Sequence, residues 1–412
     1  MARQMKDAGV KWIGDIPAEG DTIRFKFLHN GLNTGEAIDK EFWSDDINDT
    51  IFYTAGLLPI HTTFTDFPEW KYTTENDLLL ARNGTPYVYY PVSKSCYTDH
   101  IIRATIKEQV CKKFLQYSLQ QSISSVTVSQ VSIATWSASL WNEQTIPFPS
   151  LDEQKKIADY LDKKCAEIDT VITKTKATIK EYKKLKQSVI TEAVTKGIRG
   201  VRPMKDSGIE WIGEIPADWD VVRIKTLFDY RNERNEKPLE EVNLISLYTD
   251  LGVVQHCDLE STTGNKATNA DGYKLVYEND IVVNIILCWM GAIGRSAYTG
   301  VTSPAYDVYS PKEGTNSKFY HHLFRTQGFS GDCYKVGRGI MAMRWRTYSD
   351  QFRTIKVVAP PKEEQEEIIE YLDQKCAEID TLIAKKTALL EEMETYKKSV
   401  IYEYVTGKKE VE

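Results

Sequence analysis

Two stretches of this 412-residue sequence occur twice, and this internal repeat is the feature that most constrains the fold. Residues 5–18, here called the opener, return at 204–217, and both copies contain Trp-Ile-Gly-(Asp/Glu)-Ile-Pro-Ala. Residues 153–195 return at 364–406, and both copies contain Cys-Ala-Glu-Ile-Asp-Thr. The segments between the repeated stretches differ in length and show little similarity. The chain is therefore predicted to be one module used twice, with a shared frame and two diverged regions.

The longer repeated stretch has a seven-residue hydrophobic period in both copies. Apolar side chains dominate positions a and d over several heptads, which predicts two long helices of coiled-coil character. Each helix should have about 45 residues and a length of roughly 65 Å at 1.5 Å per residue. If the helices pack antiparallel against each other, opener, variable region and helix would be related by a pseudo-two-fold axis. The predicted helix-packing residues are Leu161, Cys165, Ile168, Ile172, Ile179, Tyr182, Val189, Leu372, Cys376, Ile379, Ile383, Leu390, Met393 and Val400.

The helices have marked ends and share a polar residue in their apolar seam. Ser150 with Glu153 fits a capping box at the start of the first helix, and Gly197 stands where that helix should end. Lys186 and Lys397 occupy equivalent a positions. A seam lysine can fix the register of a helix pair, or it can simply extend its ammonium group to solvent. The sequence leaves both interpretations open.

The diverged regions, residues 1–149 and 201–359, are predicted to be α+β domains, here called heads, with the helices at 150–200 and 360–412. The predicted fold class is α+β, with two globular heads joined by two long helices packed as an antiparallel coiled coil. Short strands are predicted at 78–81, 101–106, 242–247, 281–286 and 354–358, and short helices at 114–121 and 318–325.

The formal net charge of −7 counts against DNA binding, because contact with phosphates needs cations. Residues 334–356, however, contain several Lys and Arg residues and the single acid Asp350, so net charge does not decide the question. Arg and Lys can bind guanine edges, and Asn can bind adenine edges. A solvated or ion-paired surface side chain is the alternative for each candidate. The candidate DNA-binding residues are Lys71, Arg82, Asn83, Thr85 and Lys94 in the first head and Asn284, Arg295, Lys335, Arg338, Arg344 and Arg346 in the second.

Aromatic residues near these candidates are predicted to pack within the heads rather than to stack on bases. They are Tyr87, Tyr89, Tyr90, Trp289 and Trp345.

The sequence lacks the common motifs of catalysis and metal binding. It has no Gly-x-x-x-x-Gly-Lys-Ser/Thr loop, no His-Glu-x-x-His, no Gly-x-Ser-x-Gly and no Asn/Asp-Pro-Pro-aromatic loop. The seven cysteines show no Cys-x-x-Cys spacing, and the adjacent His321 and His322 would diverge on a helix. These absences favour a binding protein without a metal over an enzyme. Without a long apolar run or a secretory signal, a cytoplasmic location without membrane contact is expected.

The starts of both long helices resemble those of a known family. Residues 147–157 and 359–368 place proline ahead of Glu-Gln, which is similar to the start of the conserved helices in specificity subunits of bacterial type I restriction–modification systems. Both openers resemble the beginning of that family's target recognition domains. Residues 278–284, 289–294 and 303–306 resemble a common recognition-domain pattern, from which the first head departs more.

The resemblance implies a non-catalytic subunit of a methyltransferase/endonuclease complex. Each head would bind one half of a bipartite site in double-stranded DNA, while the helices would set the spacing and dock two methyltransferase subunits. Two restriction/translocase subunits would complete the nuclease. S-adenosylmethionine, ATP and Mg²⁺ would be bound by these partners and none of them by this chain. Two alternatives remain, a coiled-coil scaffold whose heads bind proteins and an enzyme with an unrecognised site.

Overall fold

The computed structural model describes residues 3–83, 86–124, 135–256, 269–339 and 345–411. The chain forms two compact units. Unit 1 comprises Met1–Lys176 and Ala388–Glu412, and unit 2 comprises Ala177–Thr387. Each unit therefore contains one head and a part of both long helices. The domain boundaries that the sequence predicts between the heads and the long helices remain a prediction.

Unit 1 is built from small, mostly antiparallel sheets and two short helices. Its central sheet has the strand order β4-β11-β8-β9, and a second sheet has the order β10-β6-β7-β5. The strands are β1 (Met5–Asp7), β2 (Asp15–Pro17), β3 (Thr22–Arg24), β4 (His29–Thr34), β5 (Trp43–Ser44), β6 (Thr50–Tyr53), β7 (Ile60–Thr62), β8 (Asp77–Ala81), β9 (Val88–Tyr89), β10 (Cys96–Tyr97), β11 (Ile101–Ile106) and β12 (Thr145–Pro147). The helices are α1 (Lys112–Ser124), α2 (Ala138–Glu143) and the long α3 (Leu151–Lys196), which continues into unit 2.

Unit 2 has a central sheet of order β16-β23-β20-β21 and further two-stranded sheets. The strands are β13 (Met204–Asp206), β14 (Glu214–Pro216), β15 (Asp220–Arg223), β16 (Phe228–Arg231), β17 (Ile245–Tyr248), β18 (Gly252–Gln255), β19 (Lys274–Val276), β20 (Ile281–Asn284), β21 (Ile293–Arg295), β22 (Gly300–Thr302), β23 (Tyr306–Pro311) and β24 (Lys356–Ala359). The helices are α4 (Ile224–Leu227), α5 (Ser317–Phe324), α6 (Gln327–Val336), α7 (Ser349–Phe352) and the long α8 (Lys362–Val405).

The two heads share a sheet plan although their sequences differ. The order β4-β11-β8-β9 corresponds strand for strand to β16-β23-β20-β21. The openers form hairpins of identical register, with Met5 opposite Pro17 and Met204 opposite Pro216. In each head, the strand that leads into the long helix pairs with the strand that follows the opener, as β12 with β3 and β24 with β15. The duplication therefore extends through the heads as a conserved backbone plan.

Most predicted elements of the heads are confirmed. The strands predicted at 78–81 and 101–106 are β8 and β11, and both strands are almost completely buried. The helices predicted at 114–121 and 318–325 correspond to α1 and α5. The strands predicted at 242–247, 281–286 and 354–358 also exist, but one end of each was predicted two or three residues from its observed position.

Local turns explain the three wrong boundaries. The strand predicted to continue to Ile286 ends at Asn284, because the Oδ1 atom of Asn284 accepts hydrogen bonds from the N–H groups of Ile286 (2.9 Å) and Leu287 (3.3 Å) and turns the chain. The strand predicted from residue 242 begins at Ile245, after a 3₁₀ turn. The strand predicted from residue 354 begins at Lys356, because the turn after α7 comes first.

Helices α3 and α8 confirm the two predicted long helices, with 46 and 44 residues. The Ser150 hydroxyl accepts a hydrogen bond from the N–H of Glu153 (3.3 Å), as the capping box requires. Gly197 ends α3 with a φ of +75°, a left-handed conformation that glycine adopts without strain. All the predicted helix-packing residues are buried or half-buried. None of the described helices is long and apolar enough to cross a membrane.

The seam lysines form ion pairs between α3 and α8. In unit 1, Nζ of Lys397 donates to both carboxylate oxygens of Asp169, at 2.6 and 2.7 Å. In unit 2, Nζ of Lys186 donates to both oxygens of Asp380, at 2.8 and 2.6 Å. The two pairs occupy equivalent positions of the repeat and exchange the roles of the helices. Because each ammonium group has a specific carboxylate on the other helix, the structure favours register fixing over simple extension to solvent.

The helix parts within each unit run antiparallel. In unit 1, the pairs Asp169–Lys397 and Lys176–Glu394 show that residue numbers rise along α3 while they fall along α8.

Each head also contacts these helices through its own first longer helix. Phe114 of α1 shares a buried cluster with α3 and α8, and Phe319 of α5 lies in the core of unit 2 together with the start of α8.

Candidate nucleic-acid interface

In the second head, three of the candidate cations lie at or just beyond the C-terminal end of α6, namely Lys335 in its last turn and Arg338 and Arg346 after it. Arg338 and Arg346 form a two-way backbone bridge, with both N–H···O distances at 2.9 Å. The exposed Arg338 side chain pairs with Asp350 (2.6 Å), and the exposed Lys335 pairs with Glu210 (3.1 Å). Exposed ion pairs contribute only about 0–1 kcal/mol each. Breaking the ion pairs of Lys335 and Arg338 would therefore cost little free energy.

Aromatic rings support this basic cluster. The rings of Tyr334 and Trp345 stack at 4.9 Å between centroids, and Trp289 packs against Tyr334 at 5.7 Å. The indole N–H of Trp345 donates to the Tyr334 carbonyl (3.2 Å). Gly337 permits this approach, because a Cβ there would lie 2.3 Å from the indole nitrogen. The stack thus holds the backbone on which Arg338 lies, and sequence reasoning did not single out Tyr334.

Among the described residues, no hydrogen bond or ion pair connects Asn284 or Arg295 to the basic cluster. Asn284 is buried, and its Oδ1 atom is committed to the turn that ends β20. Arg295 donates from Nε to Oδ1 of Asn279 (2.8 Å) and pairs with Glu278 (3.6 Å). Arg344 lies outside the described residues.

In the first head, Arg82 and Asn83 follow β8 directly. Arg82 is exposed, while its backbone N–H donates to the carbonyl of His100 (2.8 Å). The side-chain amide of Asn83 lies 2.7 Å from Nδ1 of His100, and the backbone of Asn83 bridges to Thr135. Thr85 lies outside the described residues. No pattern in the sequence pointed to His100.

The two candidate lysines of the first head have different surroundings. Lys71 is ion-paired with Glu36, and its side chain is largely buried. Lys94 is exposed and adopts a positive φ of +64° in a turn. Lys94 is therefore accessible at the surface of the described part of the head, whereas Lys71 could bind another group only after its ion pair with Glu36 is broken.

Sequence reasoning also missed a cation cluster at the start of α1. The ammonium groups of Lys112 and Lys113 lie 3.9 and 4.7 Å from the centroid of the exposed Tyr90 ring. Burial lowers the pKa of Lys112. The two adjacent lysines can be seen in the sequence, but the Tyr90 ring that contacts them lies in a different part of the sequence.

The two adjacent histidines show no metal-binding arrangement. Burial lowers the pKa of His321 to about 3 and that of His322 to about 4. Nδ1 of His321 accepts a hydrogen bond from the N–H of Arg295 (3.1 Å). Within the described part of the chain, no group of three or more His, Cys, Asp or Glu residues could hold a metal ion.

Two long ranges of the chain, residues 28–181 and 216–392, match the family described as the type I restriction modification DNA specificity domain. The chain belongs to this family. Each range covers most of one head and extends into the long helix that follows it, so the family domain is present twice. The resemblance noted at the starts of the two helices is thereby confirmed, and the chain's role is DNA recognition in a type I restriction–modification system.

Similar proteins agree with this assignment. The type I restriction enzyme MjaVIII specificity subunit of Methanocaldococcus jannaschii is 25% identical over 351 residues, which cover 81% of this chain and 79% of that protein. The putative MjaX specificity subunit of the same organism is 25% identical over 311 residues, covering 72% of this chain and 65% of that one. A solved chain from work on complex assembly and conformational transition of the type I R-M system has 12% identity, covers 96% of this chain and 99% of its own length, and shares the fold with a TM-score of 0.67.

Proposed function

We propose that the chain is the non-catalytic specificity subunit of the complex and that each head reads one half of a bipartite target in double-stranded DNA. The observation that carries the proposal is the shared sheet plan of two heads with unlike side chains. The common backbone carries different side chains at equivalent places, because β8 is followed by Arg82 and Asn83 whereas β20 is followed by two isoleucines, Ile285 and Ile286. Two different half-sites require this combination, because base edges are read by individual side chains.

The long helices are the proposed docking surface for two methyltransferase subunits. Val171 and Leu382 are equivalent in the repeat, and so are Leu185 and Tyr396; all four are apolar and 42 to 48% exposed. Exposed apolar side chains retained at the same positions of both copies favour two equivalent protein contacts. Two restriction/translocase subunits complete the proposed complex, which acts in the cytoplasm. In this scheme S-adenosylmethionine, ATP and Mg²⁺ bind to the partner subunits.

Methylome sequencing and DNA binding together test the proposal. The chain is produced with its methyltransferase, the methylated motif is determined, and binding to that motif is measured by electrophoretic mobility shift. We expect a bipartite motif and a preference for it over scrambled DNA. If the complex prefers no sequence, the DNA-reading role fails and the scaffold alternative is supported.

A matched pair of variants tests the basic cluster of the second head. Arg338→Ala should weaken binding to the target and make the dependence of affinity on salt shallower, because a phosphate contact is lost. Lys237→Ala removes the same charge from an exposed position of the same head and should leave both quantities unchanged. Equal effects of the two variants would contradict a specific role for Arg338.

A further inference from the structure

The start of α3 ties several parts of unit 1 together through one buried side chain. Gln154 is 1% exposed. Its Nε2 donates to the carbonyl of Pro149 (2.9 Å), and its Oε1 accepts from the N–H of Cys111 (3.0 Å). Pro149 precedes α3, and Cys111 immediately precedes α1 of the head. One amide thus joins the first turn of the long helix to the N-terminus of a helix in the head.

The second copy repeats this arrangement in unit 2. Gln365 is 3% exposed. Its Nε2 donates to the carbonyl of Pro360 (2.8 Å), and its Oε1 accepts from the N–H of Asn316 (2.9 Å). Asn316 is the N-cap of α5, the helix of the second head that corresponds to α1. The same two bonds therefore occur in both copies, and the bond to Oε1 connects each long helix to its head, although Cys111 and Asn316 lie in regions with little sequence similarity.

The glutamate before each glutamine adds a second tie, to the segment of the opener. Glu153 accepts from Nη1 of Arg3 (3.1 Å), and Glu364 accepts from Nη1 of Arg202 (3.0 Å). Arg3 and Arg202 both lie two residues before the repeated Met-Lys-Asp of the openers. Each Glu-Gln pair consequently contacts both the first residues of its half of the chain and the first longer helix of its head.

We propose that Glu153-Gln154 and Glu364-Gln365 are clamps that fix the angle of each head on its long helix and thereby the spacing between half-sites that the complex accepts. The inference rests on the function proposed above. These residues are positioning residues, since nothing places them on DNA. Helix length alone cannot define the spacing, because the direction in which a head leans also matters.

The chemistry of the contacts supports a directional role. The apolar cluster around Phe114 and the core around Phe319 hold the heads on the helices, but apolar burial has no directional preference. Hydrogen bonds prefer angles above about 150° at the hydrogen atom and weaken steeply below about 120°. The two bonds of each rigid, buried amide therefore restrict rotation of the head relative to the start of its long helix, which the surrounding apolar contacts do not.

The test measures spacing selectivity in the intact complex. The chain is co-produced with its methyltransferase in a host without the system, and methylation is sequenced at sites with the normal spacer and with spacers one base pair shorter or longer. The variants are Gln154→Ala, Gln154→Met, Gln365→Ala and Gln365→Met. The controls are Lys155→Ala and Glu366→Ala, which alter the exposed neighbours of the two glutamines.

We expect the Ala and Met variants to methylate the altered spacers at least about 10-fold more than the wild type does, with both half-site sequences unchanged and with the controls unaffected. Met retains most of the side-chain volume without the hydrogen bonds, so it separates clamping from packing. A Met variant that keeps the normal spacer selectivity overturns the inference. Loss of methylation at every spacing in both variants of one glutamine also overturns it, since it shows a merely structural role.

The wild-type result distinguishes this inference from the function on which it rests. If the wild-type complex methylates no bipartite motif, the proposed function fails. If the wild type shows a bipartite motif with one sharp spacer and the variants do the same, only the clamps are refuted.

Discussion

At the scale of single residues, the duplication places identical side chains in unequal surroundings. The Glu153 side chain is 33% exposed and pairs with Arg3. The Glu364 side chain is fully buried, where it accepts hydrogen bonds from Arg202 and from the indole N–H of Trp219 (2.9 Å). The same residue type at the same repeat position therefore contributes differently to the stability of the fold. Glu153 and Glu364 can be compared directly within one chain.

We expect Glu364→Gln to lower the free energy of unfolding by about 3–5 kcal/mol, because it leaves the Arg202 charge without its buried partner. Glu153→Gln should cost less, about 1 kcal/mol, because its pair with Arg3 is partly exposed to solvent. Urea denaturation of both variants measures the difference. Equal losses would show that burial does not control the strength of this contact.

The adjacent histidines make stability depend on pH in a defined window. In the folded chain, burial holds the pKa of His321 at about 3 and that of His322 at about 4, below the value of about 6.5 for an exposed histidine. As the pH falls from about 6.5 to about 4, the unfolded chain takes up protons that the folded chain does not. The free energy of unfolding should therefore decrease through this window.

His322→Gln should make that decrease shallower, because it removes one of the two groups that take up a proton on unfolding. Denaturation of wild type and variant at pH 7, 6 and 5 tests this expectation. Carboxylates titrate in both proteins alike, so the difference between the two curves isolates His322. Parallel curves would mean that His322 is protonated to the same extent in the folded and unfolded chains.

At the scale of elements, α3 and α8 are matched by reciprocal ion pairs. Asp169–Lys397 lies in unit 1 and Lys186–Asp380 lies in unit 2. A change in the length of one helix alone would shift one pair out of register. A length experiment therefore has to change both helices together.

Insertion of one heptad after Lys176 in α3 and of another after Thr387 in α8 should preserve both ion pairs and lengthen each helix by about 10.5 Å at 1.5 Å per residue. At 3.4 Å per base pair, the DNA spacer should grow by about three base pairs. Methylome sequencing gives the spacer directly. An unchanged spacer would contradict the proposal that the long helices set the spacing between half-sites. Insertion into α3 alone is expected to destabilise the chain.

At the scale of the whole molecule, the repeat gives each unit the same set of parts. Each has an opener hairpin, a four-stranded sheet of the same order, a helix clamped by a glutamine and segments of α3 and α8. Each unit also has its own buried core. Heads with separate cores should be exchangeable without refolding the other unit.

Replacing residues 201–359 with the corresponding head of another family member should change one half of the methylated motif and leave the other half as it is. The reason is that base contacts belong to individual side chains of one head. Methylome sequencing of the chimera measures both halves at once. A change in both halves would contradict independent reading.

The sequence by itself determined the long helices, the duplication and the family, because heptad period and repeated motifs are local or can be compared letter by letter. It also placed Lys186 and Lys397 in the seam. Only the tertiary structure decided what these residues contact, since Asp380 and Asp169 lie on the other helix, about 200 residues away in the sequence.

The common sheet plan of the heads likewise came from the tertiary structure alone. Strands such as β8 and β20 are buried mainly through apolar side chains, and many apolar side chains of suitable size can fill such positions, so duplication preserved the order of the strands while most of their residues changed. The same limit applies to the candidate interface, where Asn284 is committed to a turn while Arg338 is exposed. Residue type states what a side chain can bind, but burial and hydrogen-bond partners, which depend on distant parts of the chain, decide whether it is available.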